Sequence, residues 1–159
     1  MEQISFIPPT YKYIIDTSSL LSQKTNEIFN RNIHKSLWDK IDNLIKEQVI
    51  IVCSENADEI QDEELQEYLP RLQCKVMDLD DEVQDNATKI INEHPEILNF
   101  KRLKSSVDVF IIATALKYNL IIITEEKANS PQRIPQIAAY YNIESVNVNK
   151  LCEKERWVF

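Results

Sequence analysis

No glycine occurs anywhere in the 159 residues of this chain. Ordinary usage of about 7% would supply roughly eleven. The lack excludes the P-loop, the G-x-G-x-x-G dinucleotide fingerprint and the G-x-S-x-G nucleophile elbow. Each of these brings backbone up to a phosphate or through a strained turn where a Cβ would collide. Histidine is nearly as scarce: His34 and His94 are the only two, and neither stands in H-E-x-x-H. That removes histidine-ligated zinc and leaves a serine or cysteine triad without its base. The three cysteines, Cys53, Cys74 and Cys152, are odd in number, far apart and outside any C-x-x-C spacing. They suggest neither a disulfide framework nor a zinc site, and are expected to be reduced, mostly buried thiols. No run approaches the roughly 18 apolar residues of a membrane span, and MEQISFIPPTYK lacks the basic-then-apolar layout of a signal peptide. The chain is therefore read as cytoplasmic, with no membrane partner.

What the chain has in excess is carboxylate. Asp and Glu number 26 against 18 Lys and Arg, a formal net charge of −8, which argues against a broad basic surface for coating nucleic acid. With 43% hydrophobic residues, residues 1–159 suit one compact domain. Residues 1–10, with Pro8 and Pro9, read as an extended lead-in.

Five apolar runs rich in Ile and Val recur along the chain: YKYIID (11–16), VIIVC (49–53), CKVMDL (74–79), LIIIT (120–124) and SVNV (145–148). Continuous apolar character without alternation marks strands buried on both faces. Helical stripes lie between them: Ile33, Leu37, Trp38, Ile41, Leu44 and Ile45; Val83, Ala87, Ile90 and Ile91, stopped by Pro95; Val107, Phe110, Ile111, Ala115 and Leu116; and Ile134, Ile137, Ala138 and Tyr141. Alternation of strand and helix predicts an α/β protein with a parallel sheet and right-handed crossovers. Asn119 in KYN-LIII and Asn142 in YYN-IESV stand where a helix runs into a strand. Asparagine is the usual substitute for glycine in the left-handed conformation that ends a helix there.

In such a sheet, ligands bind where strands end and helices begin, above all where strand order reverses. Four acids are delivered to that edge by four segments. Asp16 ends the first strand, Glu59 lies about one turn into the helix after the second, Asp108 opens the helix before the fourth, and Glu126 follows the fourth. Converging carboxylates repel, and a hard divalent cation relieves the repulsion. Oxygen-only ligands select Mg²⁺ or Mn²⁺. Glu125 competes with Glu126, and Glu55 with Glu59. Singly, Asp16 also suits a helix cap and Asp108 a first-turn acid. In NFKRLKSS, Lys101, Arg102 and Lys104 precede Asp108. With Lys127 and Arg133, they are candidate contacts to a phosphate backbone; a solvated loop is the other reading. His34 and His94 are expected at exposed helix positions, and Tyr140, Tyr141, Trp157, Val158 and Phe159 as core or interface filler.

YIIDTSSLL, then ADEI, then DVFIIATAL, then IIITEEK form an order that resembles the PIN-domain family, metal-dependent ribonucleases that include many bacterial toxin components. TEEKANSPQRIPQIA is similar to a PIN-like subgroup with Thr-Glu-Glu-Lys followed by Ile-Pro. The resemblance runs from about residue 11 to 159. It implies a three-layer α/β/α fold with a central parallel sheet of about five strands, and an endoribonuclease using Mg²⁺ or Mn²⁺. Asp16, Glu59, Asp108 and Glu126 would be its metal-binding and catalytic acids. Thr17, Ser18 and Thr124 would orient metal, water or phosphate around them. It further implies an RNA substrate, an antitoxin partner and a homodimer. The chain departs from the family at Ser18, where asparagine is frequent, and at Glu126, where aspartate is commoner. Those departures leave room for a catalytically silent, partner-binding scaffold. A phosphatase or phosphoacceptor using Asp16 is less favoured, because Ser18 stands where a second aspartate belongs.

Overall fold

The computed structural model describes residues 10–97, 105–126 and 134–159. Strands β1 (Tyr13–Ile15), β2 (Ile50–Cys53), β3 (Val76–Met77), β4 (Ile121–Ile123) and β5 (Ser145–Val146) form one sheet in the order β3-β2-β1-β4-β5, and every pairing is parallel. All five expected strands are present. Each is shorter than its apolar run, because the run's ends are taken up by the junctions with helices. The helices are α1 (Thr17–Leu21), α2 (Lys35–Lys46), α3 (Ser54–Glu59), α4 (Glu63–Arg71), α5 (Asp81–Glu93), α6 (Ser105–Tyr118), α7 (Ile134–Tyr140) and α8 (Val148–Lys154), with a 3-10 turn at Pro95–Ile97.

Side chains along each strand alternate between two separate cores. Tyr13, Ile15, Ile50, Val52 and Ile123 pack with residues of α2, α4 and α8, including Trp38, Ile41, Leu65 and Leu151. Ile14, Ile51, Cys53 and Ile122 pack with Val83, Ile90, Ile112 and Ile137 of α5, α6 and α7. Period-two alternation explains this: a strand between two helical layers must be apolar on both faces. The result is a three-layer α/β/α arrangement. Among the described residues, no helix is long and apolar enough to cross a membrane.

Several details differ from the sequence reading. Ile33 lies before α2 and is 75% exposed. In α6, Val109, Ile111, Ile112, Ala113 and Ala115 are all buried, so the apolar surface is far wider than the stripe expected. The helix is apolar nearly all round because it packs against α5, α7 and the sheet together. Tyr140, Val158 and Phe159 are exposed rather than core. His34 is exposed as expected, whereas His94 is half-buried and packs edge-on to Tyr140, with ring centres 4.6 Å apart.

The missing glycines have a structural consequence at every described helix-to-strand joint. Asn119 (φ 55°) and Asn142 (φ 60°) adopt the left-handed conformation as expected, and so do Gln48 (φ 61°) and Gln73 (φ 54°). At each joint the next N–H reaches back five residues: Val49 to Leu44, Cys74 to Leu69, Leu120 to Ala115 and Ile143 to Ala138, at 2.9–3.0 Å. These are Schellman closures. A side chain in that conformation costs about 1–2 kcal/mol, partly offset because glycine loses roughly 0.5–1 kcal/mol more chain entropy on folding. The double variant Gln48→Gly, Gln73→Gly is therefore expected to melt higher by roughly 2–4 °C in a thermal scan. A melting point at or below the parent's would show that the glutamine side chains contribute more than the strain removes.

Candidate functional site

Strand β1 lies at the centre of the sheet. The chain leaves it for β2 and β3 on one side, then crosses back to place β4 on the other. Strand order thus reverses between β1 and β4, the place at the carboxyl edge where sheets of this kind bind ligands. Asp16 follows the last residue of β1, and Thr124 the last residue of β4. Their side chains meet across the reversal: Thr124 Oγ1 donates to Asp16 Oδ2 at 2.9 Å. Ser18 Oγ donates to the same oxygen at 2.7 Å.

Asp16 occupies the N-cap position of α1, yet its carboxylate makes no capping bond. Its backbone carbonyl accepts the Ser19 and Leu20 N–H groups instead, and the side chain is held by Ser18, Thr124 and Asn56. The residue is only 5% exposed. Burial pushes its carboxyl up from the usual 3.8 to about 6; the hydroxyl bonds pull it down, while the negative charges of Glu126 and Glu59 push it up further. No cationic side chain among the described residues offsets that charge.

Glu59, the last residue of α3, joins this cluster: Thr17 Oγ1 donates to its Oε1 at 2.6 Å. Fully buried Asn56 ties the two strands' acids together. Its amide nitrogen lies 3.1 Å from Thr17 Oγ1, 3.3 Å from Glu59 Oε1 and 3.4 Å from Asp16 Oδ1. Its carbonyl oxygen accepts the Cys53 thiol at 3.1 Å. Burial lifts Cys53 to about 11, so the thiol keeps its proton and remains a donor. The thiol thereby sets which end of the Asn56 amide faces the acids. Sequence reasoning missed Asn56; the available signal was its position three residues before Glu59, on the same helix face.

The segment after β4 is tied to the same cluster. The Glu125 N–H donates to Ser18 Oγ and the Glu126 N–H to Thr124 Oγ1, each at 3.1 Å. Glu126 Oε2 accepts the Ile134 N–H at 2.9 Å, at the start of α7. Glu125 Oε1 turns the other way and accepts the Val148 N–H at 2.8 Å, at the start of α8. Glu55 lies in the first turn of α3. Asp108 is half-buried in the first turn of α6. That helix runs back to feed β4, so its beginning stands at the carboxyl edge, and it packs on α3, β1 and β2. Asp108 takes no part in the hydrogen bonds to Asp16. Lys101, Arg102, Lys104, Lys127 and Arg133 lie outside the described residues.

The acids share an edge without forming a closed coordination sphere. Among the described residues, no three His, Cys, Asp or Glu side chains stand close enough to hold a metal ion. The donor chemistry nevertheless suits a hard divalent cation. It consists of carboxylate and hydroxyl oxygens only, around an acid whose carboxyl burial and two like charges raise to about 6.

Two crystal structures resemble the fold of this chain. One is FitAcB from Neisseria gonorrhoeae, with a TM-score of 0.54 and 14% identity over 86% of this chain and 97% of that one. The other is PAE2754 from Pyrobaculum aerophilum, with a TM-score of 0.52 and 13% identity over 91% of this chain and 96% of that one. At such identities the likeness shows the fold alone, a PIN-like three-layer α/β/α arrangement. No curated protein matches the chain. The model of a family described as a domain of unknown function, DUF4411, matches residues 13–159. The match covers every described strand and helix and the whole Asp16 cluster, and the chain belongs to that family.

Proposed function

We propose that residues 1–159 form one PIN-type nuclease domain that hydrolyses RNA phosphodiesters with Mg²⁺ or Mn²⁺. The observation that carries this reading is Asp16. A buried carboxylate lies at the strand-order reversal, fixed by Ser18 and Thr124, pressed by Glu59 and Glu126, and without a described cationic partner. An acid whose titration is perturbed in this way, at such an edge, is a functional-site candidate. Asp16, Glu59, Asp108 and Glu126 are the residues that would hold the cation, which would supply Lewis-acid stabilisation of charge developing at the phosphorus.

The remaining roles belong to the chain itself. Ser18 and Thr124 hold Asp16 with one carboxylate oxygen fixed, and Thr17 and Asn56 do the same for Glu59. Such preorganised geometry is what positional catalysis requires. An acidic edge repels RNA, so Lys101, Arg102, Lys104, Lys127 and Arg133 are proposed to hold the backbone locally, making affinity salt-sensitive. By the sequence resemblance, the reading extends to the toxin of a toxin-antitoxin pair, with an antitoxin protein over the acidic edge, and to a homodimer. A phosphoacceptor role for Asp16 is disfavoured, because both its oxygens are hydrogen-bonded and little of it is exposed.

Purified protein incubated with mixed RNA and Mn²⁺ is expected to cleave it. EDTA abolishes the cleavage, and Asp16→Asn lowers the rate at least about 100-fold. Cleavage that persists in EDTA, or survives Asp16→Asn, rules out the proposal. A silent scaffold would show neither cleavage nor thermal stabilisation by Mn²⁺.

A further inference from the structure

Asp16 and Glu59 share a neutral side chain. The Asn56 amide, on α3 three residues before Glu59, is fully buried and points its nitrogen at both acids. That nitrogen carries two N–H groups, yet three oxygens lie around it: Thr17 Oγ1 at 3.1 Å, Glu59 Oε1 at 3.3 Å and Asp16 Oδ1 at 3.4 Å. One of the three is always short of a full hydrogen bond. At the other end of the amide, the oxygen accepts the Cys53 thiol at 3.1 Å. A thiol can serve either end of an amide, because its S–H donates to oxygen and its sulfur accepts from N–H. The two ends are close to the same size, and the terminal torsion of asparagine is soft. A half-turn of the amide therefore keeps both the packing and a partner at Cys53.

We propose that Asn56 is a further metal ligand of this site, and that it takes up the role by turning its amide so that the oxygen faces Asp16 and Glu59. The inference rests on the metal-dependent reading above and deepens it. Among the described residues, Asp16 and Glu59 have no third His, Cys, Asp or Glu side chain close enough to complete a metal site with them. An amide oxygen is the kind of neutral donor that Mg²⁺ and Mn²⁺ accept beside carboxylates. Neutrality also serves the metal-free protein. Without a cation, the N–H₂ end offsets part of the repulsion between the two acids; with one, the oxygen end joins them. A carboxylate at this position could do only the second.

Two measurements test this without following cleavage. Mn²⁺ affinity is read by calorimetry on metal-stripped parent and on Asn56→Leu, which keeps the size and removes both polar ends. Loss of the ligand is expected to weaken binding at least about tenfold. If Asn56 were only a donor that the cation displaces, the leucine variant would bind Mn²⁺ more tightly; that result, or unchanged affinity, overturns the inference. The second measurement needs no variant, so a leucine chain that fails to fold leaves it intact. In isotope-labelled parent titrated with diamagnetic Mg²⁺, NOEs from the Asn56 amide protons to the Thr17 methyl group are expected to give way to NOEs to the Cys53 β-protons. Amide protons that keep their Thr17 contacts while Mg²⁺ saturates the site defeat this inference alone. No binding of either ion defeats it together with the metal-dependent nuclease reading. Metal binding with the amide turned, but no RNA cleavage, defeats the nuclease reading and leaves Asn56 standing as a ligand.

Discussion

Replacing Asp16 with asparagine is expected to stabilise the metal-free protein while destroying its proposed activity. The folded-state value of Asp16, about 6, lies above the usual 3.8. A carboxyl raised in this way favours the folded state fully below about pH 4, and that contribution is lost as pH rises through 6. Above pH 6 the wild-type fold carries a buried charge that the neutral amide of the variant would not. By the conversion of 1.36 kcal/mol per pH unit, less an allowance for weaker hydroxyl bonds to an amide, the gain is on the order of 2 kcal/mol. That corresponds to a melting point higher by roughly 4–8 °C at pH 8. In EDTA, the difference between Asp16→Asn and the parent should vanish near pH 4 and grow through pH 6. Added Mn²⁺ should raise the parent's melting point and leave the variant's unmoved. A difference that stays constant with pH would mean that Asp16 is not the strained acid described here.

Asn56→Asp is expected to move stability the other way, and further. The side chain is fully buried, and its amide faces Asp16, Thr17 and Glu59. A carboxylate there would replace a donor shared among acceptors with a third negative charge. An uncompensated buried charge costs about 3–5 kcal/mol. The new acid would itself be raised in the folded state, so the loss should be full at pH 8 and largely absent near pH 4. Mn²⁺ should restore more stability to this variant than it adds to the parent. Chemical denaturation at pH 8, with EDTA and with Mn²⁺, measures both effects. An Asn56→Asp protein as stable as the parent in EDTA at pH 8 would show that the cluster tolerates charge without a cation, removing the physical reason for placing one there.

Much of the framework was legible in the chain. Each Ile- and Val-rich run became a strand because a strand covered on both faces needs apolar side chains in both directions, and that requirement is written residue by residue. Asn119 and Asn142 announced their helix ends because only a few residue types tolerate the left-handed conformation. Gln48 and Gln73 gave no such signal, since glutamine has no local preference for it; closure of the turn by backbone hydrogen bonds imposes the conformation. The acids at the strand ends were visible for a related reason. A carboxylate directly after an apolar run is a local contrast that needs no partner to be noticed.

The partnership among those side chains belonged to tertiary structure alone. Whether the Asp16 carboxylate caps its helix or is drawn across to the neighbouring strand depends on Thr124, 108 positions away in the chain. Asn56 looks like any polar helix residue until folding buries it between two acids and a thiol. Glu125 and Glu126 are adjacent and chemically alike, and only the positions of α7 and α8 send the Glu126 carboxylate to Ile134 and that of Glu125 to Val148. Periodicity and residue type act over a few bonds and so determined the layers. Hydrogen-bond direction and the repulsion between converging charges act across space, and only the packed chain decided them.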